Sequence, residues 1–128
     1  MPKKILIIDD DIDLVEAMRI TLEGAGFDVV DAQDGVSGLE RAQKEQPDLI
    51  LLDVMMGTQD EGFHVAYQIR QNDRLRTIPI VMLTAVGQET GFHFDKDKDE
   101  DFLPVEVFLE KPVAPDRLIE VVKAQLGM

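Results

Sequence analysis

Leu49-Ile50-Leu51-Leu52-Asp53 is a run of four apolar residues closed by a carboxylate. A continuous apolar run of this length reads as a strand buried on both faces, as in the middle of a parallel sheet covered by helices on either side. A charge at the carboxyl end of such a strand lies where open α/β sheets bind their ligands. Ile5-Leu6-Ile7-Ile8 repeats the pattern and runs into Asp9-Asp10-Asp11. Two such strands ending in aspartates set the question of what else reaches the same edge.

Working outward, the chain alternates strands and helices. After the first strand a helix is expected, with Asp11 or Asp13 as its N-cap, Leu14, Val15, Met18, Leu22 and Ala25 as its apolar stripe, and Gly26 as its stop. Asp28 to Ala32 reads as a short strand. Asp34 can cap a second helix with the stripe Val36, Leu39 and Ala42, ending before Pro47. A third helix is expected from about Glu61 to Asn72, burying Phe63, Ala66 and Ile69. Ile78 to Leu83 reads as the fourth strand, ending in Thr84, with Ala85 to Glu89 starting another helix. Val105, Val107 and Leu109 alternate with Glu106, Phe108 and Glu110, the pattern of an edge strand, which Lys111-Pro112 follows. Pro115 can open the last helix, with Leu118, Val121, Val122 and Leu126 on its buried face. Five strands alternating with helices predict an α/β fold. Its form is a flavodoxin-like, doubly wound, five-stranded parallel sheet of order 2-1-3-4-5 with helices on both faces.

Composition narrows the function. The 128 residues suit one domain spanning 1–128, with no effector domain in the chain. A formal net charge of -13, from 26 acidic and 13 basic residues, argues against direct nucleic-acid binding and is compatible with cations or a basic partner surface. The absence of cysteine excludes disulfides, thiolate metal sites and cysteine nucleophiles. The apolar run after Lys3-Lys4 is too short for a signal-peptide core, and no run approaches a membrane span, so a cytoplasmic location is the expectation.

The residues following the strands form the candidate site. The first strand delivers Asp9 and Asp10, the third Asp53, the fourth Thr84 and the fifth Lys111. Three carboxylates gathered together repel unless a cation sits among them. Oxygen-only ligands with room for water suit Mg²⁺, with Mn²⁺ as a substitute. A lysine and a threonine hydroxyl supply the charge and the hydrogen-bond donor that phosphoryl oxygens need. Asp53 would then be a nucleophile and an aspartyl phosphate its product. Taken singly, Asp9 and Asp10 could be helix caps and Asp53 a turn residue; only the joint placement carries the chemistry.

These residues resemble a known family, the response-regulator receiver domains of two-component signalling, which belong to the CheY-like superfamily. The resemblance rests on Ile5 to Asp11, Pro47 to Met56, Leu83-Thr84-Ala85 and Phe108 to Pro112, and it covers the whole chain. It implies that Asp53 is the phosphoacceptor and that Asp9 and Asp10 are metal-binding acids, with Asp10 favoured as the direct ligand. Asp53 and the backbone carbonyl of Met55 would complete the metal site. Thr84 and Lys111 would contact the phosphoryl group, Thr84 and Phe108 would form the switch pair, and Lys111-Pro112 would be cis. The implied partners are a histidine kinase or phosphotransfer protein and a downstream protein target or effector domain. Monomer and weak homodimer are both open. The implied activity is limited to the protein's own phosphorylation and dephosphorylation. The output face would lie around the fourth helix, fifth strand and fifth helix of the family fold. Met55 and Val86 would flank the water approach and, being apolar, would make self-dephosphorylation slow.

Two stretches depart from the family pattern. Gly57 stands where a proline is usual, and the Gly57-to-Gly62 loop is one residue longer. Thr84 to Lys111 is also extended, by the acidic segment Asp95 to Asp101. That segment matches a calcium loop poorly, since Glu100 occupies the position of the turn glycine, and a solvated charged loop is expected there. His64 and His93 read as surface histidines. Other functions stay open at this point: a receiver without phosphoryl chemistry that serves as a protein-docking module, a small metal-dependent phosphatase using Asp9 and Asp11, and a flavodoxin-like cofactor binder. Three aspartates after the first strand oppose the last, because they would repel a cofactor phosphate.

Overall fold

A computed structural model describes residues 2–54, 61–85 and 107–128. Within them the order is β1 (Lys4–Ile8), α1 (Ile12–Gly24), β2 (Asp28–Ala32), α2 (Gly35–Glu45), β3 (Leu49–Asp53), α3 (Glu61–Gln71), β4 (Ile80–Ala85), β5 (Val107–Lys111) and α4 (Pro115–Gln125). The five strands form one parallel sheet of order β2-β1-β3-β4-β5, as expected from the sequence. β1 and β3 are neighbours, in register from Ile5 opposite Leu49 to Ile8 opposite Leu52.

Side chains alternate across a strand, so each continuous apolar run feeds two cores at once. Ile5, Ile7, Leu49, Leu51, Val81 and Leu83 face one side, where α1 covers them with Val15, Met18 and Leu22, and α4 with Leu118, Val121 and Val122. Leu6, Ile8, Ile50, Leu52, Ile80 and Met82 face the other, against Ala42 of α2 and Val65, Ala66 and Ile69 of α3. The edge strand β5 divides its residues the same way. Leu109 joins the α1/α4 side, while the half-buried Phe108 packs against the α2/α3 side.

Local chemistry accounts for the helix ends. Asp11 is the N-cap of α1 and accepts a hydrogen bond from the Leu14 amide at 3.1 Å. Asp34 caps α2 and accepts from the Ser37 amide at 2.7 Å. Gly26 follows α1 with φ +96°, a conformation that glycine adopts without steric cost. Pro115 opens α4, where its missing N–H would have had no partner in any case.

Several sequence expectations are corrected. Val36 is 73% exposed rather than part of the α2 stripe, and the buried positions are Gly35, Gly38 and Ala42. Small residues let α2 approach so closely that the contact line runs along the glycines, which turns Val36 to solvent. On α3, Phe63 is half-buried and Gly62 and Val65 join Ala66 and Ile69 inside. Ile78 is buried but precedes β4, because Pro79 lacks the N–H that a ladder requires; its carbonyl still accepts from Ile50 at 3.0 Å. Ala85 ends β4 opposite Lys111 rather than starting a helix. Leu126 is half-buried at the end of α4. The rest of the expected helix to Glu89, the acidic segment Asp95 to Asp101, His93, and the loop from Met55 to Asp60 lie outside the described residues. Among the described residues no helix is long and apolar enough to cross a membrane.

Candidate functional site

A parallel sheet brings the carboxyl ends of its strands to one edge, and at this edge the topology places β1 beside β3 and β4 beside β5. Asp9 follows β1, Asp53 closes β3, Thr84 is the penultimate residue of β4 and Lys111 closes β5. Asp9, Asp10 and Asp53 each present one carboxylate oxygen, and these oxygens lie within 4.8 Å of one another. Lys111 reaches in from β5, with Nζ 2.9 Å from Asp9 Oδ2 and 3.2 Å from Asp53 Oδ1.

Burial sorts the three acids into different duties. Asp9 and Asp53 are 0% and 5% exposed, and they are the buried charged residues among those described. Buried charges persist where they are paired and hydrogen-bonded, and here the ammonium of Lys111 supplies the opposing charge. Asp9 Oδ1 also accepts from the Asp11 amide at 2.9 Å, and the Asp9 amide donates to the Ala32 carbonyl at 3.1 Å. Asp9 is therefore held from both sides, while Asp10 is exposed to solvent. Neither of them caps α1; Asp11 does. The amino end of α1 adds a favourable partial positive charge beside this acidic corner.

The lysine is itself set by the pair it bridges. Burial of its ammonium pulls the pKa down, but hydrogen bonding to Asp9 and the charges of Asp9 and then Asp53 outweigh that and hold it above a lysine's ordinary value. Lys111 is thus fully charged across the neutral range. Thr84 is half-buried, and its hydroxyl donates to the Leu109 carbonyl at 3.5 Å, so it is tied to β5 next to Phe108. The Lys111-Pro112 peptide is cis, as the sequence resemblance implied.

The predicted site residues Asp9, Asp10, Asp53 and Lys111 are brought together, with Thr84 on the neighbouring strand end and Phe108 on the strand that Thr84 contacts. Met55 and Val86 fall outside the described residues. The donor set among the three acids is carboxylate oxygen alone, with Asp10 open to water, which fits a hard divalent ion of the Mg²⁺ type. Two contributors escaped the sequence reading. One is the Asp11 backbone amide, which orients Asp9 and has no signature in residue type. The other is Gly62, buried in the first turn of α3 with its amide donating to the Val54 carbonyl at 2.9 Å, a close approach that residue type does not announce.

Comparison with known proteins agrees with this architecture. Residues 5–123 match the family model for the response regulator receiver domain. The chain is 41% identical over 128 residues to the DNA-binding dual master transcriptional regulator RpaA of Synechocystis, covering 98% of this chain and 49% of RpaA; it thus spans about half the length of that relative. It is 29% identical to the polar-differentiation response regulator DivK of Brucella anthropi, over 99% of this chain and 98% of DivK. The solved structure of the chemotaxis response regulator CheY4 of Vibrio cholerae superposes with a TM-score of 0.82 at 28% identity, over 98% of this chain and 99% of CheY4. On the family match, the fold and the acidic strand-end cluster together, this chain belongs to the response-regulator receiver domains of two-component signalling.

Proposed function

We propose that the chain, as a single receiver domain over residues 1–128, is a phosphorylation-switched signalling module whose phosphoacceptor is Asp53. The observation that carries this reading is the pairing of the buried Asp53 carboxylate with Lys111 at 3.2 Å, in a cluster whose three acids approach within 4.8 Å. An Asp53 oxygen attacks the phosphorus of a phosphohistidine on a histidine kinase or phosphotransfer protein. The P–N bond breaks, the electron pair stays on the imidazole nitrogen, and an acyl phosphate forms. Lys111 is placed to exchange one carboxylate contact for a phosphoryl oxygen, supplying a fixed positive charge where negative charge develops. Asp9, Asp10, Asp53 and the Met55 carbonyl would hold Mg²⁺ or Mn²⁺. When bound, that ion neutralises the acidic corner and the incoming phosphoryl oxygens.

The switch follows from the contact between Thr84 and β5. Release of the Thr84 hydroxyl from the Leu109 carbonyl toward a phosphoryl oxygen would loosen the strand next to Phe108, and the half-buried ring can then take a second packing. One local charge event thereby biases two arrangements of the surface around β5 and α4. Catalysis is confined to the domain's own phosphorylation and dephosphorylation. The setting is cytoplasmic, and the output passes to a protein target or an effector domain rather than to nucleic acid through this acidic domain. RpaA, half of which this chain matches, is named for binding DNA.

The test is intact mass after incubation with a small phosphodonor and Mg²⁺, for wild type and Asp53→Asn. A gain of one phosphoryl group is expected in wild type only, and only with the ion. No gain with either a small donor or a phosphorylated kinase would replace this reading with that of a docking module. A gain that persists in Asp53→Asn would move the chemistry to another carboxylate.

A further inference from the structure

Two glycines on the α2/α3 side stand where helices touch the strands that end in the acidic site, and they touch different things. A Cβ built on Gly38 of α2 would lie 2.7 to 2.9 Å from three side-chain atoms of Ile8, the residue before Asp9. A Cβ on Gly62 of α3 would lie 2.2 Å from the Asp53 carbonyl oxygen, 2.7 Å from Val54 Cα and 2.9 Å from the Val54 carbonyl oxygen. The first collision is with side-chain atoms alone, on a buried residue that carries no group of the acidic site. The second is with the peptide of Asp53 itself, and no rotamer change relieves it.

Neither partner in that second contact has room to withdraw. The Gly62 amide donates to the Val54 carbonyl at 2.9 Å, and Val65, Ala66 and Ile69 anchor α3 in the core at 2%, 0% and 0% exposure. On the strand side, β3 is held between β1 and β4, and the Val54 amide donates to the Leu83 carbonyl at 3.0 Å. The first turn of α3 therefore rests directly on the peptide that carries the Asp53 side chain.

We infer that Gly62 is a positioning residue of the acidic site: by lacking a side chain, it lets α3 set the Asp53–Val54 peptide and so aims the Asp53 carboxylate at Lys111 and toward Asp9 and Asp10. The inference rests on the reading of Asp53 as phosphoacceptor for its consequence in phosphoryl transfer, but not for its consequence in metal-free geometry or metal binding. Misplacing a reacting group by a fraction of an ångström to an ångström costs between about ten- and a hundredfold in rate.

The experiment compares wild type, Gly62→Ala and Gly38→Ala. Four quantities are read on each: stability to denaturant, the ¹³Cγ signal of Asp53 without metal, Mg²⁺ affinity by calorimetry, and the rate of phosphoryl gain from a small donor. Both variants are expected to lose stability. Only Gly62→Ala is expected to shift the Asp53 signal, weaken Mg²⁺ binding and slow phosphoryl gain by about ten- to a hundredfold. Gly38→Ala should keep all three site readouts at wild-type values. A Gly62→Ala protein that is merely less stable, with an unchanged Asp53 signal and Mg²⁺ affinity, overturns the inference. If the variant is unfolded in buffer, the measurements are repeated in trimethylamine N-oxide, which favours the compact state. Failure to fold even there, where Gly38→Ala folds, also overturns it, because the contact would then be a requirement of folding alone. If wild type itself gains no phosphoryl group, the functional reading fails. The Asp53 signal and Mg²⁺ affinity still decide the role of Gly62.

Discussion

The two faces of the sheet are covered by different means. On the α1/α4 side, large side chains fill the space between helix and sheet: Val15, Met18, Leu22, Leu118, Val121 and Val122 over Ile5, Ile7, Leu49 and Leu51. On the α2/α3 side, helix backbone comes down onto the strands through Gly38 against Ile8 and Gly62 against the Asp53–Val54 peptide, with Gly35 in turn against Val65 of α3. The first arrangement stabilises through buried apolar area and tolerates small shifts of the helix. In the second the two contacts differ: Gly62 meets the Asp53–Val54 peptide itself, whereas Gly38 meets only the Ile8 side chain. The acidic site lies at the end of the two strands that the glycines touch. Both faces bury apolar side chains, and on the α2/α3 face it is the Gly62 contact that bears on the peptide of Asp53.

The largest expected effect tests the first half of that contrast. Leu22→Ala empties a fully buried position of the α1/α4 core and should cost about 2–5 kcal/mol in denaturant unfolding. Mg²⁺ affinity should stay close to wild type at temperatures where the variant is folded. A site that fails along with the core would break the division between faces.

Lys111→Met comes next, at the edge where the faces meet. It leaves the buried Asp9 and Asp53 without their shared cation and should cost about 2 kcal/mol, less than for a fully buried pair because the lysine side chain keeps 20% exposure. Its pH signature has a definite sign. The folded-state pKa of Lys111 is raised, so its contribution is complete below a lysine's unfolded value and is lost as pH rises through the higher folded value. The gap between wild type and Lys111→Met should therefore be constant through neutral pH and close only in strong alkali. A gap that closes near neutrality would mean the lysine is not charged in the site.

Gly38→Ala should cost about 1–2 kcal/mol by overpacking against Ile8, and Ile8→Val in the same chain should recover part of it. Absence of recovery would show that the collision is with backbone after all, and that the two glycine contacts do not differ in kind.

Acid should loosen the α2 side through its end contacts. Asp34, held by the backbone and side-chain hydrogen bonds of Ser37, and Glu45, held by the Lys4 hydrogen bond at 2.9 Å, both have pKa values lowered from those of ordinary carboxylates. Their contributions are present above the ordinary values and are lost as pH falls through the lowered ones. Carboxylate ¹³C titrations should place both midpoints below their peptide values, with hydrogen exchange in α2 accelerating over the same range. The smallest effect is expected at Val36→Ser, within about 0.5 kcal/mol of wild type because the side chain stands in solvent. A loss above 1.5 kcal/mol would restore Val36 to the core that the sequence pattern assigned to it.

Much of this organisation was legible in the residues. Apolar runs such as Leu49 to Leu52 announce strands buried on both faces, and aspartates directly after two of them announce the site edge. Asp11 and Asp34 cap the helices because their short acceptor side chains reach amides two or three residues on. The misreadings have physical causes. Apolar periodicity points Val36 inward because it does not register that glycine contacts rotate a helix about its axis. Ala85 reads as a helix start because nothing local marks where a strand stops when its partner, Lys111, is 26 residues away.

By itself the sequence determined the element order, the parallel sheet and the set of polar residues at the strand ends, because these follow from hydrophobic periodicity, capping chemistry and the handedness of crossovers. Only the tertiary structure decided how those residues divide their duties. Asp9 is sealed and doubly held, Asp10 faces solvent, and Lys111 bridges Asp9 and Asp53 from an edge strand. Those outcomes depend on which backbones come within contact of one another, and residue type alone does not encode that distance.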